Sequence, residues 1–375
     1  MNDSQHLQFM AQAITLARNG LYTTHPNPRV GCVIVKHGQV IAEGFTQPAG
    51  GAHAEVMALR AAGDAAQGAT AYVTLEPCSH TGRTPPCADA LVRAGIAKVF
   101  VAMTDPNPCV SGSGIERLRA ADVEVQCGLL EAQARALNPG FIRRMEQGMP
   151  FVRLKMATSL DGRTALASGE SQWITGAAAR KDVQFWRAQS DAILTGIGTV
   201  LADDPSLTVR LSAKELGIEG DVRQPTRVVL DTHLRCPVDA KLLSLPGKTL
   251  IYTQHYASDT VYALEQAGAE VVVLEASDTQ SRVPLHAVLK DLAAREINEV
   301  HTEAGALLCG NLLENNLADE LLLYMAPHLL GSDALGAFCL PHLQQMKDRI
   351  NLKIQDIRAI GEDWRIIAGL EQIRV

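Results

Sequence analysis

The chain reads as two α/β domains in series, and three observations predict this. Its 375 residues exceed the ~100–200 that one ordinary domain takes. Short apolar runs and amphipathic stretches alternate nearly throughout, as expected of helices laid over sheets. A basic, polar stretch, Asn138-Pro139-Gly140-Phe141-Ile142-Arg143-Arg144 and then Gly148-Met149-Pro150, interrupts the alternation. The expected domains are therefore 1–148 and 149–375, with the boundary good to a few residues.

The elements follow in order. Residues 5–19 place Leu7, Met10, Ile14 and Ala17 on one helical face. Residues 30–35, VGCVIV, form a continuous apolar run, as a buried strand does. Residues 53–63 read as a helix stopped by Gly63. Then come a strand at 70–75, a helix at 86–95, a strand at 98–102, a helix at 114–121, a strand at 123–127 and a helix at 130–137. Together they predict one α/β sandwich over a mixed sheet. The second pattern starts with a strand at 151–157, and further strands are expected at 192–195, 226–231, 249–253, 270–274 and 298–302. Residues 319–326 and 364–370 read as strands with little helix between, which predicts a sheet finished by antiparallel strands. The two halves share no motif.

Composition excludes several classes. The chain is 47% apolar and 20% charged, without low-complexity tracts. Its net charge of −7 lies wholly in the second half, because residues 1–150 hold 12 basic and 12 acidic side chains. No global field would steer a nucleic acid or an anionic membrane to the first domain. No apolar run approaches the ~20 residues of a membrane span. The start, Met-Asn-Asp-Ser-Gln-His, lacks a basic region followed by an apolar one, so no signal peptide is expected and the cytoplasm is. Eight cysteines in this length are not a disulfide scaffold, and in a reducing compartment they are available as metal ligands.

One constellation carries chemistry. His53-Ala54-Glu55 opens a helix, Pro77-Cys78 follows, and Pro86-Cys87 opens the next helix, so that each of these groups stands at a predicted helix start. Zinc favours imidazole and thiolate, and a catalytic site keeps three protein ligands plus water. A helix N-terminus lowers a thiol pKa. Glu55, two residues past His53, can sit beside the metal without binding it. There it takes a proton from the attacking water and returns it to the departing amine of an amidine carbon, the logic of zinc deaminases. The eight residues between Cys78 and Cys87 exceed the usual spacing of two. A structural zinc site with His80 or Cys109 as fourth ligand, or a set of unrelated core cysteines, is the bland alternative. A structural site has no use for a carboxylate two residues from its histidine.

The surrounding residues resemble one family. Thr24-His25-Pro26-Asn27-Pro28, then Val30-Gly31-Cys32-Val33-Ile34-Val35, the His53-Ala54-Glu55 triplet, the run TLEPCSHTGRTPPC from Thr74 to Cys87, and Asp105-Pro106-Asn107-Pro108 are similar to the bifunctional deaminase/reductase family of riboflavin biosynthesis. The long Cys–Cys loop is a feature of that family. The resemblance covers essentially the whole chain. It implies a cytidine-deaminase-like α/β/α sandwich followed by a dihydrofolate-reductase-like α/β domain. It also implies zinc-dependent hydrolytic deamination of a 2,5-diamino-6-(5-phosphoribosylamino)pyrimidinone, then NADPH-dependent reduction of the ribosyl side chain to ribityl. His53, Cys78 and Cys87 would bind zinc, with Glu55 as the proton carrier. Asn27 would contact the pyrimidine, offering donor and acceptor together. Arg83 would reach the phosphate with its planar donor fork. One departure stands out: many relatives have a His after the second strand, where this chain has Phe45-Thr46-Gln47.

In the second domain Ser159-Leu160-Asp161-Gly162-Arg163, Gly169-Glu170-Ser171-Gln172-Trp173-Ile174-Thr175, Gly196-Ile197-Gly198-Thr199 and Asp203-Asp204-Pro205 look like the family's reductase half. Independently, Thr302-Glu303-Ala304-Gly305-Ala306 links a strand to a helix, a turn that suits a phosphate. No G-x-G-x-x-G follows the first strand, which disfavours a Rossmann domain. The resemblance implies that Ala157, Trp173, Thr199, Asp203 and the segment Gly305, Ala306, Leu307, Leu308, Cys309, Gly310 and Asn311 contact NADPH. It implies that Ser171, Arg187, Leu207, Arg210 and Glu303 contact substrate, and that Lys155 and Asp203 are the catalytic candidates near the reacting carbon. It further implies a homo-oligomer acting on a small phosphorylated pyrimidine, with no nucleic-acid or membrane partner. The rival reading is a nucleic-acid-editing zinc deaminase with an appended binding domain. A third keeps the folds but makes one half an inactive binding module.

Overall fold

A computed structural model of the chain describes residues 2–80, 85–108, 110–275 and 282–371. They form two compact units, Met1–Met149 and Pro150–Val375.

The first unit runs α1 (Asp3–Ala17), β1 (Gly31–Lys36), β2 (Gln39–Phe45), α2 (Ala54–Ala62), β3 (Thr70–Val73), α3 (Cys87–Arg93), β4 (Lys98–Val101), α4 (Ser113–Ala120), β5 (Glu124–Cys127), α5 (Glu131–Leu137) and α6 (Pro139–Gln147). Its sheet has the order β2-β1-β3-β4-β5. Strand β1 pairs antiparallel with β2 and β3, whereas β3, β4 and β5 are parallel. The mixed sheet expected from sequence is therefore present. Cys32, Val33 and Ile34 of β1 are fully buried because helices cover both faces.

The basic, polar stretch at 138–150, where the boundary between domains is expected, is helical for most of its length. It folds as α6, with Pro139 in the first helical turn and Gly148 closing it in the left-handed region at φ 65°. Phe141 and Ile142 turn inward, and Arg143 and Arg144 take the wetter face. The proline-in, glycine-out signature is present; the arginines mask the apolar pair.

The second unit runs β6 (Phe151–Ser159), β7 (Arg163–Ala165), α7 (Ala177–Gln189), β8 (Ala192–Gly196), α8 (Ile197–Asp203), α9 (Ala213–Leu216), β9 (Thr226–Leu230), α10 (Lys241–Ser244), β10 (Thr249–Thr253), α11 (Ser258–Gln266), β11 (Ala269–Val273), α12 (Leu285–Ala294), β12 (Glu299–Glu303), α13 (Ala306–Glu314), β13 (Glu320–Ala326), β14 (Leu335–Gly336), β15 (Leu352–Ile360) and β16 (Asp363–Leu370). Nine of these strands make one sheet, β11-β10-β9-β8-β12-β6-β13-β16-β15. It is parallel from β11 to β13, and β16 and β15 finish it antiparallel. In such a sheet ligands bind outside the carboxyl ends of the parallel strands.

One buried cation braces this sheet. Arg227 is fully buried on β9 and donates to the carbonyls of Leu245, Pro246 and Gly247 and to Thr249 Oγ1, at 2.7–2.9 Å. It ties off the last carbonyls after α10. Arg227→Met keeps the volume but strands these acceptors, and should cost about 2 kcal/mol. Urea unfolding followed by tryptophan fluorescence measures this in the second unit alone, because Trp173, Trp186 and Trp364 all lie there.

Candidate active sites

In the first unit, three separated positions converge. His53 is the N-cap of α2, Cys87 is the first residue of α3, and Cys78 sits between them in a loop. The expectation of a helix start at Cys78 fails, because that residue lies in irregular chain between β3 and α3. His53 Nδ1 is 3.2 Å from Cys87 Sγ and 3.7 Å from Cys78 Sγ. All three ligand atoms lie within 4.8 Å of one another. Zinc bonds of ~2.0–2.3 Å at tetrahedral angles separate neighbouring donors by roughly 3.5 Å, so this set fits such an ion. Among the described residues no fourth His, Cys, Asp or Glu joins the group. This speaks against His80 as a structural fourth ligand. Cys109, the other candidate, lies outside the described residues, as does Arg83.

Helix α2 is seated tightly. Gly44 of β2 faces it, and a Cβ there would stand 2.6 Å from the Ala58 nitrogen. Only glycine lets the strand come this close. Glu55, at the second helical position, is consequently 3% exposed. Burial and the Cys78 thiolate raise its pKa to about 7. Hydrogen bonds from Cys87 and His53 pull Cys78 down to about 4, despite burial, while Cys87 is pushed up by its hydrogen bond to Cys78 and by burial. The Cys87 backbone N–H also donates to Cys78 Sγ at 3.2 Å.

Asn27 is half-buried in the turn after cis-Pro26, its N–H bonded to Thr24 O at 2.9 Å. Thr46 is buried, and its role is structural. Its hydroxyl accepts from Val30 N–H at 3.1 Å, and its own N–H donates to Val30 O at 3.0 Å. This threonine binds the chain leading into β1.

In the second unit, strand register assembles a polar face. Lys155 on β6 pairs with Glu303 on β12, and Arg153 pairs with His301 two residues earlier. Parallel neighbours point the same way, so four ionisable side chains share one face. Arg187 of α7 reaches this face. It donates to Thr208 O at 2.9 Å and from Nη2 to Glu303 Oε2 at 2.9 Å, a forked pair with that carboxylate. Burial pushes Glu303 up, but Arg187 and His301 together hold it well below the usual carboxylate range. Burial pulls Lys155 down, with Glu303 opposing. Arg210 is largely exposed; partial desolvation and then the Arg187 charge lower its pKa. Two expected substrate contacts, Arg187 and Glu303, therefore hold each other.

The remaining candidates surround the strand ends. Leu207 is buried at φ 46°. Ser171 is half-buried, and the exposed Trp173 ring stacks on Arg180 at 4.6 Å. Ala157 lies near the end of β6, Thr199 in α8, and residues 305–311 form the cap and first turns of α13. Helices α8 and α13 start at the carboxyl ends of neighbouring strands β8 and β12, and neither N-cap glycine offers a capping side chain. A Cβ at Gly198 or Gly305 would meet nothing within 4 Å. Open space above free helix amides fits a phosphate group. Asp203 is the exposed last residue of α8, and among the described residues no ion pair joins it to Lys155. Sequence reasoning missed Glu76 and His301. Glu76 stands in the matched run beside Cys78, but only the structure shows what its carboxylate holds.

Each unit matches a different protein family. A family model for the cytidine and deoxycytidylate deaminase zinc-binding region matches residues 3–103, and one for the RibD C-terminal domain matches residues 150–366. The second match displaces the reading of an editing deaminase with an appended nucleic-acid module. The chain is 49% identical to the riboflavin biosynthesis protein RibD of Escherichia coli, over 95% of this chain and 96% of that one. Acinetobacter baumannii RibD superposes at a TM-score of 0.89 with 47% identity, over 98% of this chain and 99% of that one. A Thermotoga maritima structure described as a diaminohydroxyphosphoribosylaminopyrimidine deaminase/5-amino-6-(5-phosphoribosylamino)uracil reductase gives 0.84 with 33% identity and the same coverage. Among the described residues no helix is long and apolar enough to cross a membrane. With a cytidine-deaminase-like domain first and a RibD reductase domain second, the chain belongs to the RibD family of bifunctional deaminase/reductase enzymes of riboflavin biosynthesis.

Proposed function

We propose that the first unit deaminates a 2,5-diamino-6-(5-phosphoribosylamino)pyrimidinone and that the second reduces the ribosyl chain of the product with NADPH. The observation that carries this is the triad His53, Cys78 and Cys87 with the buried carboxyl of Glu55 beside it. Those three side chains would hold zinc, which supplies Lewis acidity that makes water a nucleophile at neutral pH. Glu55 takes the proton of the attacking water and returns it to the leaving amine. Asn27 would meet the pyrimidine edge and Arg83 the phosphate.

In the second unit NADPH, when bound, supplies the hydride. Thr199, Asp203 and residues 305–311 would hold its phosphates and ribose, with Ala157 and Trp173 near the nicotinamide. Lys155 and Glu303 would orient the ribose hydroxyls, beside Ser171 and Leu207. Arg210, the more exposed arginine, is the better phosphate clamp, since Arg187 is committed to Glu303. A homo-oligomer in the cytoplasm belongs to the same proposal and rests on the family resemblance.

The test uses purified protein and the diaminopyrimidine ribosyl phosphate. Ammonia release is expected without NADPH, and NADPH oxidation only after deamination. About one zinc per chain should accompany activity. Release of ammonia from single-stranded DNA or tRNA, with none from the free pyrimidine, would overturn the reading.

A further inference from the structure

The Glu76 carboxylate is 3% exposed, and no cation pairs with it among the described residues. It accepts four backbone N–H groups instead. Oε2 takes Asp105 at 3.0 Å and Gly112 at 2.9 Å; Oε1 takes Gly114 at 2.8 Å and Ile115 at 3.2 Å. Gly114 and Ile115 are in the first turn of α4, whose N-cap, Gly112, has no side chain to satisfy them. A carboxylate 38 residues away in sequence from Gly114 thus caps that helix and neutralises its positive end. The Asp105 and Gly112 bonds bracket the loop bearing Asp105-Pro106-Asn107-Pro108.

Glu76 is also two residues from Cys78. Its own N–H is tied to Met103 O at 3.0 Å, and Cys78 O accepts from Ala88 N–H at 3.1 Å. The intervening Pro77 is clamped against α4, since a Cβ at Gly114 would collide with its carbonyl oxygen. The short segment from Glu76 to Cys78 is therefore fixed at the Glu76 side chain, at the Pro77 carbonyl and at the Cys78 carbonyl. Cys78 is the only member of the triad outside the start of a helix, so it needs such support most.

We propose that Glu76 is a positioning residue of the deaminase metal site. It hangs the Cys78 loop, the 105–112 loop and the start of α4 on one buried carboxylate, and so sets the place of the Cys78 thiolate. The inference rests on the zinc reading of His53, Cys78 and Cys87. Glu76 touches neither metal nor substrate; it acts through Cys78.

The test is zinc release from the full-length holoprotein to a chromogenic chelator, well below the melting temperature. Outer partners of metal ligands change affinity by roughly 10–100-fold. Glu76→Gln turns two of the four N–H groups toward an NH2, and should speed zinc release about tenfold or more. Glu76→Asp keeps the charge but shortens the reach, and should give a rise of a few fold. If Glu76→Gln does not fold, Glu76→Asp alone decides. A folded variant that melts lower but releases zinc at the parental rate would make Glu76 merely structural and overturn the proposal. A parent protein that holds no zinc would instead sink the metal reading itself, so the two failures are told apart.

Discussion

Glu55→Gln should lower ammonia release by about a thousandfold and leave zinc content and the reduction of supplied deaminated substrate unchanged. Glutamine fills the same buried volume on α2, so packing against β2 is kept. It cannot take a proton from water or give one to an amine. General acid–base groups contribute roughly 10²–10⁴ in rate, and Glu55 serves both proton transfers. Zinc should stay because the triad His53, Cys78 and Cys87 is complete without Glu55. The reductase should stay because its candidate residues lie in the other compact unit. Three measurements check this: ammonia release, metal analysis, and NADPH oxidation with deaminated substrate. Parental ammonia release would remove Glu55 from the proton path. Loss of reduction as well would argue that the two sites are not independent.

The residues of that prediction are legible in the amino-acid sequence. His53, Glu55 and Cys87 stand at helix starts, where side chains and free amides converge on one point, and residue type plus spacing specify the metal chemistry. The strand pattern is legible for a related reason: a continuous apolar run such as 30–35 has few other uses. What the sequence hides is long-range satisfaction of buried polar groups. Glu76 looks like any acidic residue until Gly112, Gly114 and Ile115 arrive from α4. Thr46 looks like a loop threonine until Val30 takes both its hydroxyl and its N–H. Helix α6 is hidden differently, because Arg143 and Arg144 dominate its composition while Phe141 and Ile142 decide its fold.

Register is the other hidden quantity. Lys155, Arg187 and Glu303 are each nominated by resemblance, Arg187 and Glu303 as separate substrate contacts and Lys155 as a catalytic candidate near the reacting carbon. The β6–β12 register instead puts Lys155 directly beside Glu303, and α7 lowers Arg187 onto the same carboxylate. Below them Arg153 is ion-paired with Glu299 at 3.4 Å and with Glu320. The site floor is thus a charge lattice in the middle of a sheet, where each ion is tolerated because of its neighbours.

Arg187→Met should therefore be costly twice over, in stability and in reduction. Removing one partner of a buried pair typically loses about 3–5 kcal/mol, because the other charge is left uncompensated. Here Glu303 would keep Lys155, His301 and the more exposed Arg210 nearby, none of them forked onto it as Arg187 is. Its folded pKa, now well below the ordinary value, would rise as burial prevails. The sign follows from linkage. In the parent, Glu303 is depressed, so its contribution is fully present above its unfolded pKa of ~4.3 and fades only as pH falls through the lower folded value. In the variant the carboxylate destabilises at neutral pH and is relieved by protonation. The stability gap between the two proteins should thus be widest near pH 7 and shrink toward pH 4. Tryptophan fluorescence during urea unfolding at both pH values measures it. Reduction should fall steeply with loss of the fixed Glu303, while ammonia release stays at the parental rate. Arg187→Lys should recover less than half of the stability, since an ammonium cannot replace the fork to Glu303 and the bond to Thr208 together. A gap that is small, or equal at both pH values, would mean that Glu303 is neutral or solvated in the folded protein, and the lattice would then carry no charge at that corner.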